Sequence, residues 1–196
     1  MLWPPGGTEG CGLMDVQHFR VKLFATPESQ PRLAEAIPVF HRWIQQRSLP
    51  EAMIDVADYE HVPNGPGIIL VCHEAIYSLD QEKGRLGLLY NRRTALNGSV
   101  EDRLLQAVEA VKSAAAQLEL EPEFAGQLRF DQTAWEVAVT DRALVPNTDV
   151  TWNALSPVIR NVFDSLIGAG QYRFERGGDP RELFRVSITQ ASEPRA

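Results

Sequence analysis

The sequence has few cysteines. Only Cys11 and Cys72 occur among its 196 residues, and two cysteines make neither a disulfide framework nor a zinc-ligand motif. A chain of this length does not need such cross-links, because it buries most of its unfolded surface on folding. The scarcity of cysteine is typical of a reducing compartment, and we expect a cytoplasmic protein.

Basic residues are also scarce relative to acidic ones. The chain carries 19 Lys and Arg against 26 Asp and Glu, which gives a net charge of -7 at pH 7. Nucleic-acid binding depends on Lys and Arg clusters that displace counterions, and a bilayer-spanning helix needs a run of about 18 apolar residues. We therefore predict no nucleic-acid partner and no membrane partner.

The familiar catalytic motifs are missing as well. The sequence has no glycine-rich phosphate loop, no Gly-x-Ser-x-Gly nucleophile turn and no His-Glu-x-x-His pair. It therefore indicates no reaction class, and whether the protein is an enzyme stays open at this point.

What is present is the composition of an ordinary globular protein, with 44% hydrophobic and 23% charged residues. Residues 1–14 contain two prolines and four glycines, and we predict a flexible leader there and a disordered tail over residues 191–196. No linker rich in Gly, Ser or Pro divides the remainder, so residues 15–190 are predicted to form a single domain.

The hydrophobic pattern predicts the fold class. Apolar and polar residues alternate over Phe19–Ala25, as in a half-buried strand. Ser99 and Asp102 resemble a capping box and predict the start of the longest helix, which ends at Pro122. The other strands are predicted at residues 53–59, 68–79, 86–91, 127–131, 135–141, 171–175 and 183–189, and the other helices around residues 33–44 and 152–166. This order predicts an α+β fold, with a largely antiparallel sheet of about seven to eight strands and three helices packed on it.

A hairpin in the first half of the chain carries the most informative polar residues. Its turn is predicted at residues 63–67, which read Pro-Asn-Gly-Pro-Gly. A turn centred near Asn64 sets Asp55 across from His73, within contact distance of side chains on paired strands. A slip of one residue in this register would pair Asp55 with Cys72 instead.

The predicted Asp55–His73 pair has two interpretations. In the first, the residues are functional. Asp55 orients His73 as a catalytic general base, or Asp55, His61 and His73 bind a divalent metal ion. Asp58 or Glu74 would support either role. In the second, Asp55 and His73 form a buried pair that fixes the strand register, while Asp58 and His61 cap the loop. The second interpretation is favoured, because no recognised metal-ligand spacing is present.

Further candidates for ligand contact surround these residues or follow a later strand. Asp141 and Arg142 come where a strand is predicted to end, just before the Pro146-Asn147-Thr148 turn and helix cap, and such loop positions often contact ligands. The predicted ligand-binding residues are Asp58, Tyr59, Glu74, Asp141 and Arg142.

Four segments together resemble a known group of proteins. The combination of IDVADYEHVPNGPG, CHE, GLLYNRR and DRALVPNT is similar to an uncharacterised family of bacterial proteins, over almost the whole chain from about Phe19. That family has no assigned activity, so the resemblance implies a bacterial cytoplasmic origin and no particular chemistry.

These observations favour an accessory or binding protein that acts through a surface for a protein or a small molecule. A homodimer formed through an exposed sheet edge is one such assembly. The alternative is a metal-assisted or acid–base enzyme centred on Asp55, His61 and His73.

Overall fold

The computed structural model describes residues 15–190. The predicted leader (residues 1–14) and tail (residues 191–196) lie outside the described residues. The strands are β1 (Phe19–Ala25), β2 (Met53–Tyr59), β3 (Gly67–Cys72), β4 (Ala75–Asp80), β5 (Gly87–Arg92), β6 (Phe130–Val139), β7 (Tyr172–Arg176) and β8 (Arg185–Gln190). The helices are α1 (Ala36–Gln46), α2 (Val100–Leu120) and α3 (Asp149–Ile167), with short 3-10 turns at Leu33–Glu35, Glu82–Gly84 and Pro122–Phe124.

All eight strands belong to one antiparallel sheet in the order β2-β3-β4-β5-β1-β6-β8-β7. The predicted α+β class, with a largely antiparallel sheet of seven to eight strands and three helices, is confirmed. Strands β2 and β7 form the two edges of the sheet. None of the described helices is long and apolar enough to cross a membrane.

The strand boundaries differ from the prediction in two places. The predicted strand over residues 68–79 is two strands, because the chain turns back at His73 and Glu74 between β3 and β4. The two strands predicted at residues 127–131 and 135–141 are instead one, β6, whose pairing with β1 shifts register between Leu23 and Ala25. These two errors cancel in the strand count.

The three helices cover one face of the sheet. Helix α1 packs against β2 and β3, and α2 packs against β1, β5 and α3. Helix α3 covers the far end of the sheet, where the Phe163 ring meets the Trp135 ring of β6 with 5.7 Å between centroids. Helix α2 begins at the predicted capping box, in which the Ser99 hydroxyl accepts the Asp102 N–H and the Asp102 carboxylate accepts the Ser99 N–H.

Alternation along the strands divides the residues between two faces. On β1 the side chains of Phe19, Val21 and Leu23 are buried in the core, while Arg20 and Lys22 point to the opposite side. We call this opposite side the helix-free face, because none of the three described α-helices packs on it. Its central positions, matched by strand register, are Arg20, Lys22, Ser78, Asp80, Leu89, Asn91, Glu136 and Arg185.

Candidate functional site

The predicted pair of the first hairpin does not form. Asp55 lies opposite Val71 in the β2–β3 ladder, and its exposed carboxylate accepts a hydrogen bond from the N–H of its own neighbour, Val56, at 2.8 Å. The prediction that Asp55 faces His73 is therefore wrong.

The position of the turn explains this difference. Tyr59 pairs with Gly67, so the hairpin is centred at residue 63 rather than at Asn64, and the alternative pairing of Asp55 with Cys72 is wrong as well. His73 lies in the turn that follows β3, where its backbone N–H donates to the Ala52 carbonyl at 2.9 Å.

His73 and Glu74 occupy the outside of this turn. The His73 side chain is 71% exposed, and its Nδ1 lies 3.8 Å from Glu74 Oε1. Glu74 Oε2 accepts the Ala52 N–H at 3.0 Å, and this hydrogen bond holds the pKa of Glu74 below its ordinary value. Glu74 thus fastens the turn to the start of β2, which is a structural role.

The proposed metal ligands are not gathered into one group. His61 is exposed in the loop of residues 60–66, and Asp58 accepts the Glu60 N–H at 2.8 Å, as expected of a residue that caps the loop. Within residues 15–190, no three His, Cys, Asp or Glu side chains come together as metal ligands would. The structure therefore does not bring together Asp55, His61 and His73, the ligands of the metal-binding interpretation.

Tyr59 lines a cavity at the end of the first hairpin. The cavity measures about 480 Å³ and lies between the loop of residues 60–66 and residues 31–34, which precede α1. The Tyr59 side chain is partly exposed, as is Val62 on the loop.

Asp141 is the predicted ligand-binding residue with the most extensive contacts. Its Oδ1 lies 2.6 Å from His18 Nδ1, and its Oδ2 accepts the backbone N–H groups of His18 and Gln17. Asp141 therefore holds the chain entering β1 against the end of β6. Arg142 is exposed in the turn that follows. No sequence pattern pointed to His18, which lies more than a hundred residues away from Asp141 in the chain.

The helix-free face contains a fully buried ion pair that the sequence analysis missed. The side chains of Lys22 and Asp80 are 3% and 2% exposed, and Lys22 Nζ lies 2.6 Å from Asp80 Oδ1. Lys22 also donates to the Arg85 carbonyl at 2.9 Å. A charge buried this deeply is tolerated only when it is paired and hydrogen-bonded, as it is here.

Gly87 leaves space for this lysine. It lies on β5 beside β1, and a Cβ atom at residue 87 would be only 2.6 Å from Lys22 Cε and 2.7 Å from the Leu23 carbonyl oxygen. Any side chain at residue 87 would therefore force the lysine and the neighbouring strand to move.

A second cluster of charged side chains surrounds Glu82, which lies on the 3-10 turn Glu82–Gly84. The Glu82 carboxylate accepts a hydrogen bond from Arg20 and lies 3.7 Å from Arg185, which also pairs with Glu136 at 3.1 Å. Burial raises the pKa of Glu82, but the positive charges of Arg20 and Arg185 outweigh it and place the pKa below its ordinary value of 4.5. Two arginines and two glutamates thus link β1, β6 and β8 to the Glu82 turn.

Beside these pairs the helix-free face has a cavity of about 350 Å³, which we call the face cavity. Its apolar lining comes from Ile69, Ile76 and Leu89 on three adjacent strands. Its polar lining includes Ser78 and Asn91, and the end of the loop of residues 60–66 closes one side. An apolar cavity with a few polar groups is the usual form of a small-molecule site.

A third cavity, of about 270 Å³, lies on the other side of Glu82 from the face cavity. It is lined by Lys22, Phe24 and Arg185 among others, and the Arg85 guanidinium stacks 3.5 Å from the centre of the Phe24 ring. Glu82 lines both cavities, so the 3-10 turn that carries it separates them.

Two residues that line the face cavity, Arg20 and Asn91, each carry one buried polar atom with no hydrogen-bond partner among the described residues. The atoms are Arg20 Nε and Asn91 Oδ1, and neither has accessible surface, so they do not open into the cavity. Arg20 and Asn91 are opposite each other on β1 and β5, so a donor and an acceptor lie on neighbouring strands of the same face. Buried polar atoms without a partner are uncommon in folded proteins.

No family model matches the chain, and no curated protein or solved structure is significantly similar to it. The resemblance to an uncharacterised bacterial family stays a prediction.

Proposed function

We propose that this protein binds a small molecule in the face cavity and acts as a binding or accessory protein. The observation that carries this proposal is the cavity itself, whose apolar lining of Ile69, Ile76 and Leu89 lies beside the polar residues Ser78 and Asn91. A cytoplasmic location in a bacterium is part of the proposal and rests on the sequence alone.

A cavity-filling variant tests this function. Saturation-transfer NMR with benzyl alcohol as the probe is expected to show binding to the full chain, because the alcohol has an apolar ring and one polar group. Ile76→Trp fills the cavity and should abolish the signal, whereas Ile54→Trp on the exposed edge strand β2 should preserve it. Absence of binding to the unaltered chain, or equal binding to Ile76→Trp, would contradict the proposal.

The alternative function, a metal-assisted or acid–base enzyme centred on Asp55, His61 and His73, remains a prediction with no support from the geometry. Metal analysis of protein purified without a histidine tag tests its metal-dependent form. A divalent metal at one equivalent per chain, lost in the His61→Ala and His73→Ala variants, would revive it.

We also propose that self-association, where it occurs, uses β7 rather than β2. If two β7 strands pair antiparallel about Phe174, Arg173 of each copy faces Glu175 of the other, and opposite charges attract. If two β2 strands pair about their centre at Val56, Asp55 faces Ala57 and Asp58 faces Ile54, so that pairing brings no opposite charges together.

Light scattering during size-exclusion chromatography tests this assembly. Arg173→Glu should weaken a dimer because it opposes two glutamates, and the double variant Arg173→Glu/Glu175→Arg should restore it. A monomer at high concentration, or a dimer insensitive to Arg173→Glu, would overturn the role of β7.

A further inference from the structure

We propose that Asn97 is a site of spontaneous modification, at which the side-chain amide is converted to a carboxylate through a cyclic imide. The chain contains two Asn-Gly pairs, Asn64-Gly65 and Asn97-Gly98. Both asparagines are exposed, but the fold restrains the first pair and leaves the second free to react. The site is separate from the face cavity and does not depend on what that cavity binds.

The reaction needs a backbone nitrogen that can reach the asparagine side chain. The nitrogen of the following residue loses its proton and bonds to the side-chain Cγ, the C–N bond of the amide breaks, and ammonia leaves. Water then opens the imide at either carbonyl, which gives aspartate or isoaspartate. Glycine in the following position favours the attack, because it has no Cβ and permits the widest range of backbone angles. Asparagine is accordingly one of the thermolabile residues.

In the first pair the glycine nitrogen is restrained. The Gly65 N–H donates to the Val62 carbonyl at 2.8 Å, and this hydrogen bond must break before the nitrogen can attack. The turn around it is also tight, because a Cβ atom at residue 65 would be only 2.8 Å from Val62 Cβ. The imide can therefore form at Asn64 only if this turn opens.

In the second pair the glycine nitrogen is unrestrained. Among residues 15–190, no group accepts a hydrogen bond from the Gly98 N–H. Gly98 is exposed, as Asn97 is, and both lie in the connection between β5 and α2. Attack of the Gly98 nitrogen on Asn97 therefore breaks no hydrogen bond of that nitrogen.

The modification should be felt at the start of α2, because the chain is fixed on both sides of the pair. The Leu96 N–H donates to Gln17 Oε1 at 3.3 Å, and the Leu96 carbonyl accepts Arg103 Nε at 2.7 Å. Ser99 is held by Asp102 in the capping box. Isoaspartate lengthens the main chain between these points by one CH₂ group. Either the contacts of Leu96 or the helix cap must then shift, and loss of a cap destabilises a helix.

Peptide mapping of the aged full chain tests the site. The protein is incubated in mildly alkaline buffer and digested with trypsin, which leaves Asn97 in the peptide of residues 94–103 and Asn64 in that of residues 48–83. Mass spectrometry is expected to show conversion of amide to acid in the first peptide about fivefold faster than in the second, since Gly65 must first give up one hydrogen bond.

Two controls separate the effect of the fold from that of the sequence. In the chain unfolded in urea, the two asparagines should react at similar rates, because the hydrogen bond of Gly65 is lost. Asn97→Gln keeps an amide but requires a larger ring for the attack, so the conversion within residues 94–103 should disappear. The Tm of the unaltered chain should fall as isoaspartate accumulates, while the Tm of Asn97→Gln treated in the same way should stay constant.

Several results would overturn the proposal. Equal conversion of Asn64 and Asn97 in the folded chain, or an unreactive Asn97, would show that the fold does not select this site. A difference in rate that persists in urea would assign the selection to the sequence alone. An equal fall of Tm in the aged Asn97→Gln variant would show that the modification does not act on the start of α2.

Discussion

The two faces of the sheet are both buried at the centre, but by different means. On the helix-covered face, apolar side chains such as Val21 and Leu88 pack under the helices. On the helix-free face, Lys22 and Asp80 are equally inaccessible, yet they are charged. Alternation along a strand therefore predicts which face of the sheet is polar, but it does not predict which face is exposed to solvent.

Loops and one 3-10 turn bury the polar face. The Glu82–Gly84 turn and residues 60–66 lie against it, where an ordinary antiparallel sheet would meet solvent. The Glu82 carboxylate on this turn contacts Arg20 and Arg185, and Lys22 donates to the carbonyl of Arg85, the residue that follows the turn. The stability of this face should therefore depend on charge, while that of the other face should depend on packed volume.

The largest effect is expected from breaking the buried ion pair. Asp80→Ala leaves Lys22 buried without its partner and should lower the free energy of unfolding by about 3–5 kcal/mol. The double variant Lys22→Met/Asp80→Leu, which removes both charges, should cost less than Asp80→Ala alone. Urea unfolding followed by circular dichroism measures the free energy of unfolding of both variants.

The matched control for this prediction is Glu28→Ala, which removes an exposed carboxylate and should change stability by less than about 0.5 kcal/mol. Equal losses in Asp80→Ala and Glu28→Ala would show that the buried pair contributes nothing.

Alanine substitutions at two neighbouring leucines of β5 allow the packing of the two faces to be compared directly. Leu88 points to the helices and Leu89 lines the face cavity, and both are at least 95% buried. Leu88→Ala should cost about 3 kcal/mol because it opens a void in a packed core. Leu89→Ala should cost at least about 1 kcal/mol less, because its side chain already borders empty space. Equal costs in urea unfolding would mean that the two faces are packed alike.

The charged face should also make stability depend on pH. The pKa of Glu82 is below its ordinary value of 4.5 in the folded protein, so the unfolded chain binds that proton more tightly. The stabilisation is present above about pH 4.5 and is lost as the pH falls through the folded-state pKa. Glu82→Gln should therefore be less stable than the unaltered protein at pH 6, by a margin that shrinks towards pH 3.

Glu60→Gln in the exposed loop serves as the control, since its unfolding free energy should follow that of the unaltered protein across the same pH range. A Glu82→Gln margin that stays constant with pH would contradict the role of the charge.

The smallest effect is expected where the sequence predicted a pair. A double-mutant cycle of Asp55→Ala and His73→Ala should give a coupling energy near zero, within about 0.3 kcal/mol, because the two side chains are not partners in the hairpin. A coupling of 1 kcal/mol or more in unfolding measurements would show that they interact after all.

Much of the fold was predictable because local signals and burial agree. The alternation over Phe19–Ala25 and the Ser99 capping box each fix one element from neighbouring residues. The turn at His73 and Glu74 was not predictable, since it contains neither Gly nor Pro and is held by a distant contact of Glu74 with Ala52. The strand count was right only because this missed turn offset the wrongly divided β6.

The site was less predictable than the fold for a physical reason. A charged residue in a strand does not reveal whether a distant loop will cover it, and Asp80 lies 58 residues from Lys22. Sequence reasoning placed the important charges on β2, an edge strand whose polar side chains are exposed. The position of Lys22 between apolar residues of β1 carried no signal of its burial, because the same alternation is typical of a strand whose polar side faces solvent.

Gly87 limits the amino-acid substitutions that this protein can tolerate. The space beside Lys22 Cε and the Leu23 carbonyl is already filled, so even alanine at residue 87 would displace both a charged side chain and a central strand. Replacing Lys22 with a smaller residue would relieve only half of this clash, because the carbonyl belongs to the backbone. Among homologous sequences, glycine should therefore persist at this position even where the ion pair has been replaced by apolar residues.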